Sequence, residues 1–222
     1  MKKIKKNILL SLASVGIIIV SYSFSTPGNK KINEEPTTGM ELKTNMRKLW
    51  EDHVMWTRNV IFNIIDDLPG KDEAVIRLFK NQEDIGDAIK PYYGADAGKK
   101  LTELLHSHIA ISADLLYAKK VNDDKAFKEA NDKWYVNADE ISEFLSKANS
   151  FWKLADMKKM MHDHLKFTTD EGVARYDKNY DADVKAYDKV HDEILEMSDM
   201  LSNGIMQQFP DKFKSSNTLG KK

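Results

Sequence analysis

From Met40 onward, apolar residues recur every three or four positions in six successive stretches, the spacing of one buried helix face. The first stretch, Met40 to Asp67, carries Leu42, Met46, Leu49, Trp56, Val60 and Ile64, and Pro69-Gly70 ends it. The second carries Val75, Leu78, Phe79, Ile85 and Ile89 as far as the break at Pro91-Tyr92-Tyr93-Gly94. The third, Ala95 to Lys120, carries Leu101, Leu104, Leu105, Ile111, Leu115 and Leu116. Asn122-Asp123-Asp124 caps the fourth, whose face is Phe127, Ala130, Trp134, Ile141 and Leu145. Asn149-Ser150 caps the fifth, with Leu154, Met157, Met161 and Leu165. The sixth begins near Asn179 to Asp181, carries Val184, Tyr187, Val190, Ile194, Leu201 and Ile205, and stops at Pro210. No stretch alternates with period two, and no internal repeat stands out. Long helices joined by short turns predict an all-α, up-down antiparallel bundle of about six helices.

Polar residues interrupt these faces at regular heights. His53, His108 and His191 lie inside their stripes, His164 lies on the flank of its own, and Gln82 and Asn137 replace apolar residues on the second and fourth faces. In an up-down bundle, residues equidistant from a turn share a level. Counting through the turns brings His53 to Gln82, His108 beside Asn137, and His164 to His191. Scattered buried imidazoles are costly, since each unpaired polar group loses about 1–3 kcal/mol. Grouped, they satisfy one another through a metal or a hydrogen-bonded network. The expected metal ligands are His53, His108, His164 and His191, with Gln82, Asn137 and Glu171 behind them; Glu171 follows His164 on the same flank. Neutral imidazoles suit Zn, Cu or Fe, and haem is a weaker candidate. Met157, Met160 and Met161 beside His164 read first as core filler. His106 and His162 point away from the faces and read as solvated.

Composition narrows the picture. The chain has 222 residues, 41% hydrophobic and 31% charged, with formal net charge −1, which gives no reason to expect a nucleic-acid partner. It contains no cysteine, so neither disulfides nor thiolate metal sites are open to it. Lys2, Lys3, Lys5 and Lys6 precede the apolar run Ile8 to Val20 and then Ser21-Tyr22-Ser23-Phe24-Ser25, a pattern that reads as a secretory signal over residues 1–25. Left uncleaved, residues 7–24 are long enough for a single membrane anchor, which needs about 17–25 residues. Residues 26–39 read as a flexible linker, 40–213 as the bundle domain and 214–222 as a disordered tail.

No Gly-x-Gly-x-x-Gly, Walker loop, Gly-x-Ser-x-Gly or His-Glu-x-x-His occurs, so no catalytic residue is assigned. The resulting expectation is an extracytoplasmic bundle, secreted or anchored, that binds a transition metal for binding, sensing or storage. A cell-envelope interaction module with a metal-free polar layer and a protein partner is the competing reading. A metal-dependent enzyme with Glu171 or Asp139 as base is the third.

Several strings resemble a family of small bacterial exported helix-bundle proteins. They are Leu49-Trp50-Glu51-Asp52-His53-Val54, Asp84-Ile85-Gly86 with Ala88-Ile89-Lys90-Pro91-Tyr92-Tyr93-Gly94, and Asn137-Ala138-Asp139-Glu140-Ile141. Met160-Met161-x-x-His164-Leu165, Val190-His191-Asp192 and Gln208-Phe209-Pro210-Asp211 extend the resemblance over roughly residues 40–213. Family members sometimes carry labels such as glycosyltransferase or acetylglutamate kinase, but this chain has none of the phosphate-cradling glycines those chemistries use. The resemblance implies the helical fold and the choice of the four histidines, and no activity.

Overall fold

The computed structural model describes residues 38–213, and among them the chain forms six α-helices and no strand. These are α1 (Gly39–Ile65), α2 (Lys71–Tyr93), α3 (Ala95–Lys120), α4 (Asp124–Ala148), α5 (Leu154–Tyr176) and α6 (Tyr180–Gln208), followed by a 3-10 turn at Pro210–Lys212. The all-α antiparallel bundle is therefore as expected. The signal or anchor over 1–25, the linker up to residue 37 and the tail from 214 lie outside the described residues. No helix among the described residues is long and apolar enough to cross a membrane.

Several boundaries move for local reasons. α1 starts at Gly39, inside the expected linker, because Thr38 and Glu41 form a capping box: the Thr38 hydroxyl accepts from Glu41 N–H and the Glu41 carboxylate accepts from Thr38 N–H. Pro91 lies inside α2, which runs two residues further to Tyr93 and closes at Gly94, so the one backbone hydrogen bond that proline removes, to Asp87 O, falls at the helix end. Asn149 closes α4 rather than opening α5, and its side chain accepts from Phe151 N–H, so α5 begins only at Leu154. On α6 the buried face runs through Asp183, Ala186, Val190, Glu193, Ile194 and Met197, while Val184 is half exposed.

Each helix packs on its neighbours in sequence, α6 closes back on α1, and α1, α3 and α5 also touch one another. The three odd-numbered helices, parallel to each other, thus form the centre and the even-numbered ones flank them. Along the centre, equivalent buried positions repeat at the 3–4 spacing of a helical seam. In order they are Met46, Leu101 and Met157; Trp50, Leu105 and Met161; His53, His108 and His164; Thr57, Ser112 and Thr168; then Val60, Leu115 and Glu171.

The bundle is consequently three helical hairpins arranged about a pseudo-threefold axis, a repeat not apparent from the sequence. The flanking helices match in the same way: Ala74, Ala130 and Ala186 are equivalent, as are Asn81, Asn137 and Glu193, and Ile85, Ile141 and Met197. The three hairpin turns share one closure. Asp67, Asn122 and Lys178 all adopt φ near +60° (56°, 56° and 58°), and the next N–H returns to the carbonyl five residues back, Leu68 to Asn63, Asp123 to Ala118 and Asn179 to Ala174. What repeats is burial and backbone geometry; few identities survive, so pattern-reading along the chain does not register it.

Candidate functional site: a layer of three histidines

The central seam brings His53 from α1, His108 from α3 and His164 from α5 to one level, each about 2% exposed. Ring centroids lie 5.6 Å apart for His53 and His164 and 6.2 Å for His108 and His164. Trp50 meets His53 edge-on at 5.8 Å and Trp134 lies 5.0 Å from His108, so indoles close the layer on two sides.

Each imidazole is tied through Nδ1 to a polar side chain on the following helix. His108 Nδ1–H donates to Asn137 Oδ1 at 2.9 Å, and Asn137 Nδ2 donates in turn to Leu104 O. His164 Nδ1–H donates to Glu193 Oε2 at 3.1 Å. His53 Nδ1 lies 3.1 Å from Gln82 Nε2, whose amide hydrogens also face Leu78 O and Asn81 Oδ1. Asn81 Nδ2 donates to Leu49 O, the counterpart of the bond from Asn137 to Leu104 O. Asn81 is therefore the structural equivalent of Asn137, and Gln82 is an addition of the first hairpin.

Burial holds two of the imidazoles, His53 and His108, neutral. The pKa of His53 is pushed well below its usual value by desolvation and then by its neighbours His164 and His108. That of His108 is pushed down to about 3 by burial and by His164, against a smaller upward pull from Asn137. Glu193 brings a carboxylate to this layer. Its Oε2 meets His164, while its Oε1 is buried with no hydrogen-bond partner.

Two expected members of the layer lie elsewhere. His191 sits at the edge of α6, about one third exposed, with Nε2 3.2 Å from Glu51 Oε1. Val184, Tyr187 and His191 form a helical stripe that competes with the true one, and the true one is disguised by its acids Asp183 and Glu193. Glu171 is buried two layers away, where Arg58 bridges it to Asp183 and Arg175 joins from the rim. Burial pushes Glu171 up to about 7 against the pull of Arg58. It belongs to an ion-pair cluster, not to the histidines.

Sequence reasoning missed Glu193 and Asn81. Mirror-counting through the last turn arrives at His191, two residues short of Glu193. His106 is half-buried, its Nε2–H donating to Phe79 O at 3.3 Å, so it is less solvated than expected. His162 is likewise half-buried and pairs with Asp139.

Among the described residues, no group of three or more His, Cys, Asp or Glu side chains is drawn together tightly enough to hold a metal ion as it stands. Three imidazoles sharing one ion at metal–nitrogen distances of about 2.0–2.1 Å would place their ring centroids about 5 Å apart. The two separations given above are wider than that. Comparison with protein-family models, with curated proteins and with solved structures finds no match to this chain, so the site stands on its own geometry.

Proposed function

We propose that the layer binds one transition-metal ion through the Nε2 atoms of His53, His108 and His164. The role is metal binding, sensing or storage outside the cytoplasm. The observation that carries this is the charge and hydrogen-bond state of the layer. Three imidazoles, two of them held neutral, meet in a core that also contains a buried carboxylate, Glu193, with one oxygen unsatisfied. A cation at the centre offsets that carboxylate through His164, in the carboxylate–histidine–metal arrangement common to metal ligands. Nδ1–H donation by His108 and His164 leaves Nε2 as the unprotonated, ligating nitrogen. For His53, whose Nδ1 faces the donor nitrogen of Gln82, ligation through Nε2 requires the ring proton to move to Nδ1 and the Gln82 amide to turn its oxygen toward it. Gln82, Asn81, Asn137 and Glu193 then orient the ligands.

Nitrogen ligands without thiolate favour Zn, Cu or Fe over Mg or Ca. Titration of metal-stripped full-length protein with Zn(II) in a calorimeter should give one ion per chain. The double substitution His53→Ala with His108→Ala should abolish binding with the helical circular-dichroism signal retained. A wild-type protein that takes up no metal under these conditions would rule the reading out.

A metal-free polar layer that fixes helix register is the second reading, favoured by ring separations wider than a shared ion requires. It expects His108→Leu to leave the fold intact or stabilise it, and Zn(II) to leave the melting temperature unchanged.

A further inference from the structure

The pseudo-threefold arrangement allows each hairpin to be compared with the other two, position by position. Trp56, Ile111 and Phe167 are equivalent, each three residues after a central histidine. On the flanking helices Arg77, Lys133 and Lys189 are equivalent, each three residues after Ala74, Ala130 or Ala186. In the first hairpin the Arg77 guanidinium lies over the Trp56 ring, 5.3 Å from its centroid. In the third, the Lys189 ammonium lies 5.9 Å from the centroid of Phe167. A cation in such a place is attracted by the ring's quadrupole while its stem covers apolar surface. The second hairpin keeps the cation and lacks the ring. Ile111 stands where the aromatic would be, and Lys133 is exposed, with no ion pair, hydrogen bond or ring contact among the described residues.

At this place the surface between α3 and α4 opens into a groove of about 340 Å³, a volume within the range of small-ligand sites. Ile111 and Lys133 line one end of it, and Ala118, Ala126 and Ala130 give it a floor of small side chains. Toward the closing turn its rim carries three carboxylates, Asp114, Glu129 and Asp123. Asp123 caps α4 by accepting from Ala126 N–H, and Glu129 lies 3.8 Å from Lys125. Asp114 has no partner among the described residues.

We infer that this groove binds a small arylalkylamine, its ring against Ile111 beneath Lys133 and its ammonium beside Asp114. The ring takes the place that Trp56 and Phe167 fill from within the chain in the other two hairpins, and gives Lys133 the ring contact that Arg77 and Lys189 already have. Three carboxylates against one ammonium on the rim favour a cation over an anionic or neutral aromatic. The spacing sets the length of the ligand. Asp114 stands three residues beyond Ile111 on α3, about 4.5 Å along the axis at 1.5 Å per residue. That is the reach of a two-carbon chain between ring and ammonium. The groove lies on the outer face of the second hairpin, so this inference stands apart from any ion in the histidine layer.

The test titrates full-length protein with tryptamine and follows backbone amide shifts by NMR, with hexylamine and indole-3-propionate as controls. Tryptamine should saturate a single site, with shifts concentrated at Ile111, Asp114, Ala118 and Ala130. Hexylamine, which lacks the ring, and indole-3-propionate, which reverses the charge, should each bind more weakly by roughly fivefold or more. Asp114→Asn should weaken tryptamine by up to about fivefold, the range of an exposed ion pair, with the melting temperature unchanged. Ile111→Trp supplies the ring of the first hairpin from within the chain and should abolish the tryptamine shifts while the helical circular-dichroism signal is retained. Shifts that fail to saturate, that fall away from the groove, or that are matched by indole-3-propionate overturn the inference. A folded Ile111→Trp protein that binds tryptamine as the wild type does overturns it as well. The wild-type shift map decides the matter even where that variant does not fold.

Discussion

A buried imidazole is tolerated when its nitrogens have polar groups to meet, and each of the three central histidines meets a polar side chain of the following helix. Their Nδ1 atoms meet Gln82, Asn137 and Glu193. Neutrality has a consequence for the metal-free protein. Because the folded-state pKa values of His53 and His108 lie below that of an unfolded histidine, the unfolded chain binds more protons between those values. Stability is therefore fully present above about pH 6.5 and is lost as pH falls toward about 3. Glu171 acts in the opposite sense: its raised pKa contributes stability below about 4.5 that is lost as pH rises through about 7. Urea midpoints measured across this range should fall steeply on the acid side. His108→Leu should flatten that fall, and an unchanged acid limb would contradict the assignment of buried neutral imidazole.

Glu193 is the second residue-scale test. Glu193→Gln keeps the acceptor for His164 and removes the charge, so metal affinity should drop by roughly 10- to 100-fold with the fold retained. Equal affinity in a calorimetric titration would show that the carboxylate plays no part. The histidines were legible in the sequence because each takes the place of an apolar residue on or beside a face. Glu193 was not, because an acid near a charged neighbour such as Asp192 reads as a solvated face.

At the scale of elements, the helices follow from period and caps, and their exceptions from backbone contacts. α2 and α3 approach so closely that a Cβ added at Gly86 would sit 2.7 Å from Gly98 O, and one added at Gly98 would sit 2.6 Å from Gly86 O. Neither neighbour is a flexible side-chain end, so Gly86→Ala should cost about 1–3 kcal/mol, read as a lower urea midpoint; a neutral result would mean the helix pair can separate freely. The turn residue Lys178 holds φ 58° with a full side chain, where Asp67 and Asn122 are better suited. Lys178→Gly should raise stability by up to about 1 kcal/mol, and a loss would contradict the turn geometry. Helix existence was legible here because six stripes are long. The closing turns were less so: α2 ends within the expected break at Pro91 to Gly94, but Asn149 closes α4 where its residue type suggests the cap of α5.

At the scale of the whole molecule, three equivalent hairpins each contribute one histidine and its polar partner to a common axis. No hairpin builds the layer alone, so the site forms only when the bundle closes, and any ligand of the layer stabilises the fold as a unit. At one hundred times its dissociation constant, a single bound ion adds about 2.7 kcal/mol, visible as a higher melting temperature that each single His→Ala substitution at the layer should diminish. The antiparallel order and the common height of His53 with Gln82 and of His108 with Asn137 were accessible by counting through turns. The threefold arrangement was not, because Thr57, Ser112 and Thr168, or Asn81, Asn137 and Glu193, are equivalent by position and burial while their side chains differ.

The most direct test is X-ray absorption at the metal edge of full-length protein loaded with one equivalent of Zn(II) and dialysed. A shell with three nitrogen scatterers at about 2.0–2.1 Å and the outer-shell pattern of imidazole is the predicted result. A shell of oxygens, fewer than three imidazoles, or an ion that does not survive dialysis would contradict the metal centre.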